Sequence, residues 1–269
     1  IVSRDWSSDV CSSDLVFDHG FLYGEGVYET LRTFNGYPFL FDRHMDRLRN
    51  SAGMLRLDIP LSDADMLARC RETMRAAGLG DGPKNEAYIR ILLTRGVGEL
   101  SYDPAACPVP SVIVIVKPHV DPPATAYEQG SSLAIVSIVR NHPGTVNPMI
   151  KSNNLLNNAL AMQEAARMGA DEGVMRNFRG ELAECTTSNL FVVKNGIALT
   201  PPLDAGLLPG ITRAFLFEVG REAGIEVHEA VLRDDDLFGA DEAFFTSTTR
   251  GVMPATKVDG RAIGRSEEH

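Results

Sequence analysis

The sequence predicts an α/β fold in two lobes, and three observations carry that expectation. Runs of β-branched residues alternate along the whole chain with runs of helical period, so the two element types are mixed rather than segregated. One stretch, PHVDPPATAYEQG at 118–130, is proline-rich, polar and without period, and it divides the chain. The 269 residues suffice for two lobes with a core each. The expected organisation is an N-terminal lobe at 16–119, a linker at 120–130 and a C-terminal lobe at 131–264.

The elements follow in order. GFLYGEGVYETLRTF at 20–34 alternates apolar and aromatic side chains after a Gly-rich turn and predicts a strand. NGY at 35–37 is hairpin punctuation. The next segment shifts to helical period, with Met45, Leu48, Ala52 and Leu55 on one face. Ser62 is an N-cap signal for a second helix, with Leu67 and Met74 inward. AYIRILLTRG and SVIVIVK are β-branched runs of the kind found in buried strands. Past the linker, SLAIVSIVR predicts a strand, and a helix is expected from Asn154 to Met168, closed by Gly169. Residues 171–200 predict a meander of short strands with turns at Arg179-Gly180 and Asn195-Gly196. Leu208-Pro-Gly-Ile-Thr opens a helix to Gly224, and a short helix at DDDLFGA precedes the strand AFFTSTT.

Composition narrows the function. The net charge is −10 and no basic stripe is present, which excludes an ordinary nucleic-acid binder. No run approaches the ~20 apolar residues of a membrane span. Cys11, Cys70, Cys107 and Cys185 are scattered without metal or disulfide spacing, so a reducing cytoplasm is expected and a metal is not. The two ends look foreign. DWSSDVCSSDL at 5–15 back-translates to a common sequencing-adapter oligonucleotide, and RSEEH at 265–269 to the start of its opposite strand. Residues 1–15 and 265–269 are therefore expected to be non-native tails, which removes Trp6 and Cys11 from functional consideration.

Five lysines occur. Lys84 and Lys194 lie in polar turns, Lys117 ends a strand before a proline, and Lys257 adjoins a VDG turn. Lys151 instead follows Met149-Ile150 and precedes the amide-rich SNNLLNN. Apolar surroundings favour the free amine as a nucleophile; the alternative is a lysine with a packed stem and a wet head. LPGITR at 208–213 is an anion-site candidate, because the amides of Ile211 and Thr212 would open a helix beside a hydroxyl. The hydroxyl cluster Thr246-Ser-Thr-Thr-Arg is a second, and Arg43 or Arg47 on the first helix a third. Glu184, in ELAECTTSNLF, is either a carboxylate partner for a pyridinium nitrogen or a strand-edge glutamate facing water.

Lysine, acidic residue, helix-start phosphate site and hydroxyl cluster, in that order, resemble the fold-type IV pyridoxal-phosphate enzymes, the class IV aminotransferases. The resemblance runs from about Val16 to Gly264 through FDHGFLYGEGVYETLR, HMDRLRNSA, TRGVG, IKSNNLLNNALA, ECTTSNLF, LLPGITR and TSTTRGVMP. It implies a pyridoxal 5′-phosphate cofactor between two lobes and a homodimer or higher homo-oligomer. By motif, Lys151 matches the Schiff-base lysine that also moves the proton, and Glu184 the partner of the pyridine nitrogen. Arg47, Ile211, Thr212 and Thr248 match the phosphate ligands, Ser247 is a further cofactor-binding position, and Leu208 packs on the ring. Tyr28, with Tyr88 and Arg90 of the YIR strand, matches the substrate side. The implied partners are a small amino acid and a 2-oxo acid.

Among family members, GVGELSYDP and Tyr88-Ile-Arg90 resemble branched-chain aminotransferases, and the Arg-x-His pair expected of D-amino-acid aminotransferases after TRG is absent. Tyr28-Glu-Thr resembles the D-amino-acid enzymes and the 4-amino-4-deoxychorismate lyases more closely, and Leu156 stands where many branched-chain enzymes have tyrosine. The expectation is a branched-chain transaminase using 2-oxoglutarate in a ping-pong mechanism, with those two classes as alternatives. Family members carry a strand before FDHG and a segment after IG. Truncation at both ends would expose a sheet edge, so an inactive cofactor-binding homologue is a further alternative.

Overall fold

The structure, a computed structural model, describes residues 2–3 and 14–264. Trp6, Cys11 and most of the two expected tails lie outside the described residues. The chain forms two compact units, Ile1–Val120 with Ile150–Leu155, and Asp121–Met149 with Leu156–His269.

The first unit contains β1 (Val2–Ser3), α1 (His19–Leu22), β2 (Gly26–Phe34), β3 (Tyr37–Pro38), α2 (Phe41–Met54), α3 (Asp63–Ala76), β4 (Ala87–Thr94) and β5 (Ser111–Pro118). Among the described residues the strands form one antiparallel sheet, ordered β1-β5-β4-β2-β3. The β1 pairing with Val114 and Ile115 is made by backbone groups that any sequence carries. Strand alternation puts Val27, Leu31, Ile89, Ile91, Leu93, Val114 and Val116 on one face, where Met45, Leu48 and Ala52 of α2 and Met66, Cys70 and Met74 of α3 cover them. Each large apolar side chain buried there contributes roughly 1.5–3 kcal/mol. Asn35 and Gly36 both have positive φ, the requirement of the two-residue hairpin turn that NG signals.

Two expectations are corrected in this unit. The strand begins at Gly26 rather than Gly20, because the Asp18 carboxylate accepts from Gly20 N at 2.8 Å and starts the turn α1. In α3, Met66 is the inward residue and Leu67 is half-buried; the buried row is Met66, Cys70, Thr73 and Met74. Ser62 caps α3 as expected, accepting from Asp65 N.

The second unit contains α4 (Ala124–Gln129), β6 (Ser131–Ile135), α5 (Leu156–Arg167), β7 (Glu172–Arg176), β8 (Leu182–Cys185), β9 (Asn189–Lys194), β10 (Ile197–Thr200), α6 (Ile211–Ala223), β11 (Val227–Glu229), α7 (Asp234–Phe238), β12 (Glu242–Ser247), β13 (Gly251–Val258) and β14 (Arg261–Ala262). The described strands form a mixed sheet ordered β11-β10-β9-β12-β13-β6-β7-β8, with β14 beside β13. Its core gathers Leu133, Val174, Leu182, Leu190, Val192 and Phe245. Ala161 and Ala165 seat α5 against Ala134, Val136 and Met175, small residues that permit close approach.

Here the segment expected to be a structureless linker contains α4. The strand after it stops at Ile135, short of Arg140. Helix α5 starts at Leu156 rather than Asn154, because residues 150–155 belong to the first unit. Strand β13 was not among the expected elements, and it contains Pro254. The structure accommodates it because β6 pairs with β13 only from Ala255 onward, so the missing N–H leaves no gap in that ladder. No helix among the described residues is long and apolar enough to cross a membrane.

Candidate active site

Residues 150–153 lie along the free side of β2. Tyr28 N donates to Lys151 O at 2.9 Å, Asn153 N donates to Gly26 O at 2.9 Å, and Val27 and Ser152 form the bridge between them. Lys151 N donates to Ser51 Oγ of α2 at 3.1 Å. Gly26 is required, because a Cβ there would come within 2.6 Å of Leu93 O and 2.5 Å of Asn153 Nδ2. The backbone of Lys151 is thus fixed on both sides.

Tyr28 and Lys151 share a face of the sheet. Lys151 Nζ lies 4.5 Å from the centre of the Tyr28 ring, and Arg90 Cζ lies 4.0 Å from it. Arg90, two residues from the partner of Tyr28 on β4, is on the same face. Tyr88 is on that face too, but pairs with Arg32 and meets Lys117 Nζ at 4.7 Å, so it is directed toward β5. The other lysines behave differently. Lys84, Lys117 and Lys257 are exposed. Lys194, expected to be solvated, is half-buried in an ion pair with Asp236 at 2.9 Å.

On the opposite face of β2, Glu29 is fully buried. Arg47 holds both of its oxygens, Nε to Oε1 at 2.7 Å and Nη2 to Oε2 at 2.8 Å, and His44 Nδ1 is 2.7 Å from Oε2. Burial alone would raise the carboxyl pKa, but Arg47, by charge and hydrogen bond, and His44 outweigh it, and the result is lowered to about 2. The His44 pKa is lowered, first by burial and further by the Arg47 and Lys151 charges, against the pull of Glu29. An ionised Glu29 accepts only, so Nδ1 of the neutral imidazole carries the hydrogen. Arg47, expected among the phosphate ligands, therefore has a protein carboxylate partner as well.

In the second unit Glu184 is buried, not a strand-edge residue facing water. Arg140 Nε donates to Oε1 at 2.8 Å; Leu208 N and Asn189 Nδ2 donate to Oε2 at 3.1 and 3.3 Å. Asn189 Nδ2 also donates to Leu208 O at 3.0 Å. Asn189 faces Thr246 across the β9/β12 ladder, and its amide oxygen would collide with a Cβ at Gly210. Gly210 is the N-cap of α6, so Leu208, Ile211, Thr212, Glu184, Asn189 and Thr246 form one cluster. The first amides of α6 have no acceptor within the helix, and Thr246 Oγ1 is buried with no partner among the described residues.

Ser247 ends β12 and Thr248 opens the turn into β13, both half-buried. Arg250 N donates to Ser247 Oγ at 3.3 Å, and Arg250 Nη2 to Thr187 Oγ1 at 2.7 Å. The fully buried Glu172 accepts from Thr187 N at 2.7 Å and Ser188 Oγ at 3.0 Å. Glu29, His44, Arg140, Glu172, Asn189 and Arg250 were not singled out by sequence reasoning. Glu29 left a signal, a carboxylate at an inward position of an alternating strand; Arg140 left none, because it reads only as the last residue of the expected strand SLAIVSIVR.

The Amino-transferase class IV family model matches residues 26–258, and the chain belongs to that family. A provisionally assigned branched-chain-amino-acid aminotransferase of Methanocaldococcus jannaschii is 41% identical over 252 residues, covering 94% of this chain and 85% of the relative. The crystal structure of the Escherichia coli branched-chain amino acid aminotransferase superposes with a TM-score of 0.88 at 33% identity, covering 98% of this chain and 86% of that one. A branched-chain amino acid aminotransferase from T.th., solved with pyridoxamine 5′-phosphate, gives a TM-score of 0.87 at 29% identity, covering 98% and 85%. The architecture is that of the fold-type IV aminotransferases. Relatives at 32% identity include an aminodeoxychorismate lyase of Bacillus subtilis (90% of this chain, 80% of the relative) and a D-alanine aminotransferase of Bacillus licheniformis (94% and 86%).

Proposed function

We propose that this chain is a pyridoxal-phosphate-dependent transaminase that passes the amino group of a branched-chain L-amino acid to 2-oxoglutarate in two half-reactions. The observation that carries the reading is the setting of Lys151: its backbone is fixed by Tyr28 and Ser51, and its amine lies over the Tyr28 ring beside Arg90. Each unit supplies groups of the kind the cofactor takes. Lys151 would hold it through Nζ, and Glu184 would face the ring nitrogen beside Leu208. The amides of Ile211 and Thr212, the Ser247 and Thr248 hydroxyls and Arg47 would take the phosphate.

When bound, pyridoxal phosphate supplies an electron sink for the pair left as the amino acid loses its α-proton. Lys151 Nζ would take that proton and return it on the far side of the amino nitrogen, a 1,3-shift. Glu184, an anion among three donors, favours a proton on the ring nitrogen. Arg90 would offer a guanidinium to a substrate carboxylate, with Tyr28 beside it on the substrate side and Tyr88 farther along the same face of β4. The reading includes a cytoplasmic homodimer or higher homo-oligomer. Tyr28-Glu-Thr and the relatives at 32% identity favour a second reading, a D-amino-acid aminotransferase or 4-amino-4-deoxychorismate lyase.

The test supplies the purified chain with pyridoxal phosphate and follows glutamate formed from 2-oxoglutarate with L-leucine, then with D-alanine, and 4-aminobenzoate formed from 4-amino-4-deoxychorismate. Glutamate from L-leucine is expected. Turnover of D-alanine or the chorismate alone would move the assignment to that class, and binding without turnover would leave an inactive homologue.

A further inference from the structure

Glu184 does not hold its own position. It is paired with Arg140, whose segment precedes the Lys151 strap and whose side chain is buried. Arg140 Nη1 donates to Asn157 Oδ1 at 3.0 Å and lies 3.5 Å from Asn158 Oδ1. Asn157 is fixed in turn: its Nδ2 donates to Val139 O at 2.9 Å, and its Oδ1 also accepts from Asn141 N at 3.3 Å. Asn158 Nδ2 donates to Thr186 O at 2.7 Å, two residues beyond Glu184. The Arg140 backbone is held by Arg176 O at 2.8 Å. The amide-rich run that follows Lys151 therefore builds a clamp at the start of α5, and the clamp aims a guanidinium at Glu184.

We propose that Arg140, oriented by Asn157 and Asn158, is a positioning residue for Glu184: it fixes the carboxylate and keeps the proton shared with a pyridine nitrogen on the nitrogen. The inference rests on Glu184 facing the cofactor ring. The physical ground is that a buried carboxylate is costly unless paired, and a guanidinium with a fixed fork pairs it without offering a proton. Removing that charge leaves a buried anion that gains by taking the shared proton for itself. Asparagine suits the clamp because it accepts from the guanidinium through Oδ1 while donating through Nδ2 to a backbone carbonyl, and it carries no charge to compete with Glu184.

The experiment uses the full chain with pyridoxal phosphate labelled with ¹⁵N at the ring nitrogen, and reads the nitrogen resonance and the cofactor dissociation constant. In the unaltered protein the resonance of a protonated ring nitrogen is expected. Arg140→Met should move it toward the unprotonated position and weaken binding about tenfold or more, since the buried Glu184 carboxylate loses its guanidinium charge. Arg140→Lys should fall between. Asn157→Ala, which leaves every charge in place, should shift the resonance in the same direction by less, and it decides the matter if Arg140→Met does not fold. Unchanged resonance and affinity in folded Arg140→Met, or in Asn157→Ala where that variant decides, would overturn the proposal and leave Arg140 a packing residue. An unprotonated nitrogen in the unaltered protein would overturn the role of Glu184 as well, and no binding by the unaltered protein would overturn the cofactor reading itself.

Discussion

Tyr28 and Lys151 are joined twice: the Tyr28 amide donates to the Lys151 carbonyl at 2.9 Å, and the Lys151 amine rests 4.5 Å from the Tyr28 ring. The backbone bond sets where the lysine stands, and the ring sets which way it points. The two contributions can be separated by mutation.

Lys151→Ala is expected to abolish transamination, by about a thousandfold or more, since the group that moves the proton is gone. Folding should be nearly unchanged, because the strap is held by backbone atoms. Borohydride reduction followed by mass spectrometry checks the point: the unaltered chain should retain one cofactor on Lys151 and the variant none.

Tyr28→Leu keeps the backbone bond and removes the aromatic face under both Lys151 Nζ and Arg90. The lost cation–π contacts are worth about 0.5–1 kcal/mol each. A several-fold rise in KM for the amino acid, with smaller loss of kcat, is the expected outcome of steady-state kinetics. Equal losses in both would show that the ring orients Lys151 alone.

Glu29 makes acid stability a test of the buried triad. Its carboxyl is depressed to about 2, so the stability it contributes is fully present above about 4.5 and is lost as pH falls toward 2. The size is about 3 kcal/mol. The lowered His44 pKa acts in the same direction, from about 6.5 downward, because the unfolded chain binds a proton that the folded imidazole refuses. Glu29→Gln should lower stability at pH 7 by roughly 3–5 kcal/mol, since the buried Arg47 guanidinium loses the Glu29 charge, and should flatten the loss below about pH 4.5. Urea unfolding across pH measures both.

Gly210→Ala would drive a methyl group into the Asn189 amide oxygen. Overpacking of this kind costs about 1–3 kcal/mol. Because Asn189 also contacts Glu184 and the Leu208 carbonyl, the cofactor dissociation constant should rise along with the loss of thermal stability. A stability loss with unchanged cofactor affinity would show that Asn189 relaxes without disturbing Glu184.

Much of this was legible in the chain, for identifiable reasons. The β2–β3 hairpin was written by Asn35-Gly36, α3 by Ser62, and the end of α6 by Gly224, each a local signal with a local cause. The position of Lys151 stood out because its neighbours differ from those of the other lysines. Local patterns say nothing of partners distant in sequence, so the pairing of Glu29 with Arg47 and of Arg140 with Glu184 stayed hidden. Strand β13 went unpredicted, and its Pro254 stands just before the first residue that pairs with β6. The start of α5 was misplaced for a related reason, since six residues that read as helix or its approach are pulled onto β2.

Those six residues, Ile150–Leu155, enter the first unit from the second and return to it. The segment that carries Lys151 beside β2 is thus delivered late, as an excursion rather than as part of a continuous sequence. A polypeptide ending at Val120 would present β2 with its Gly26 carbonyl and Tyr28 amide unmatched. On the ribosome, the first unit stays incomplete until Leu155 has emerged. The Tyr28 and Asn153 amides should therefore gain protection from hydrogen exchange together, and after the central β2–β4 pairs.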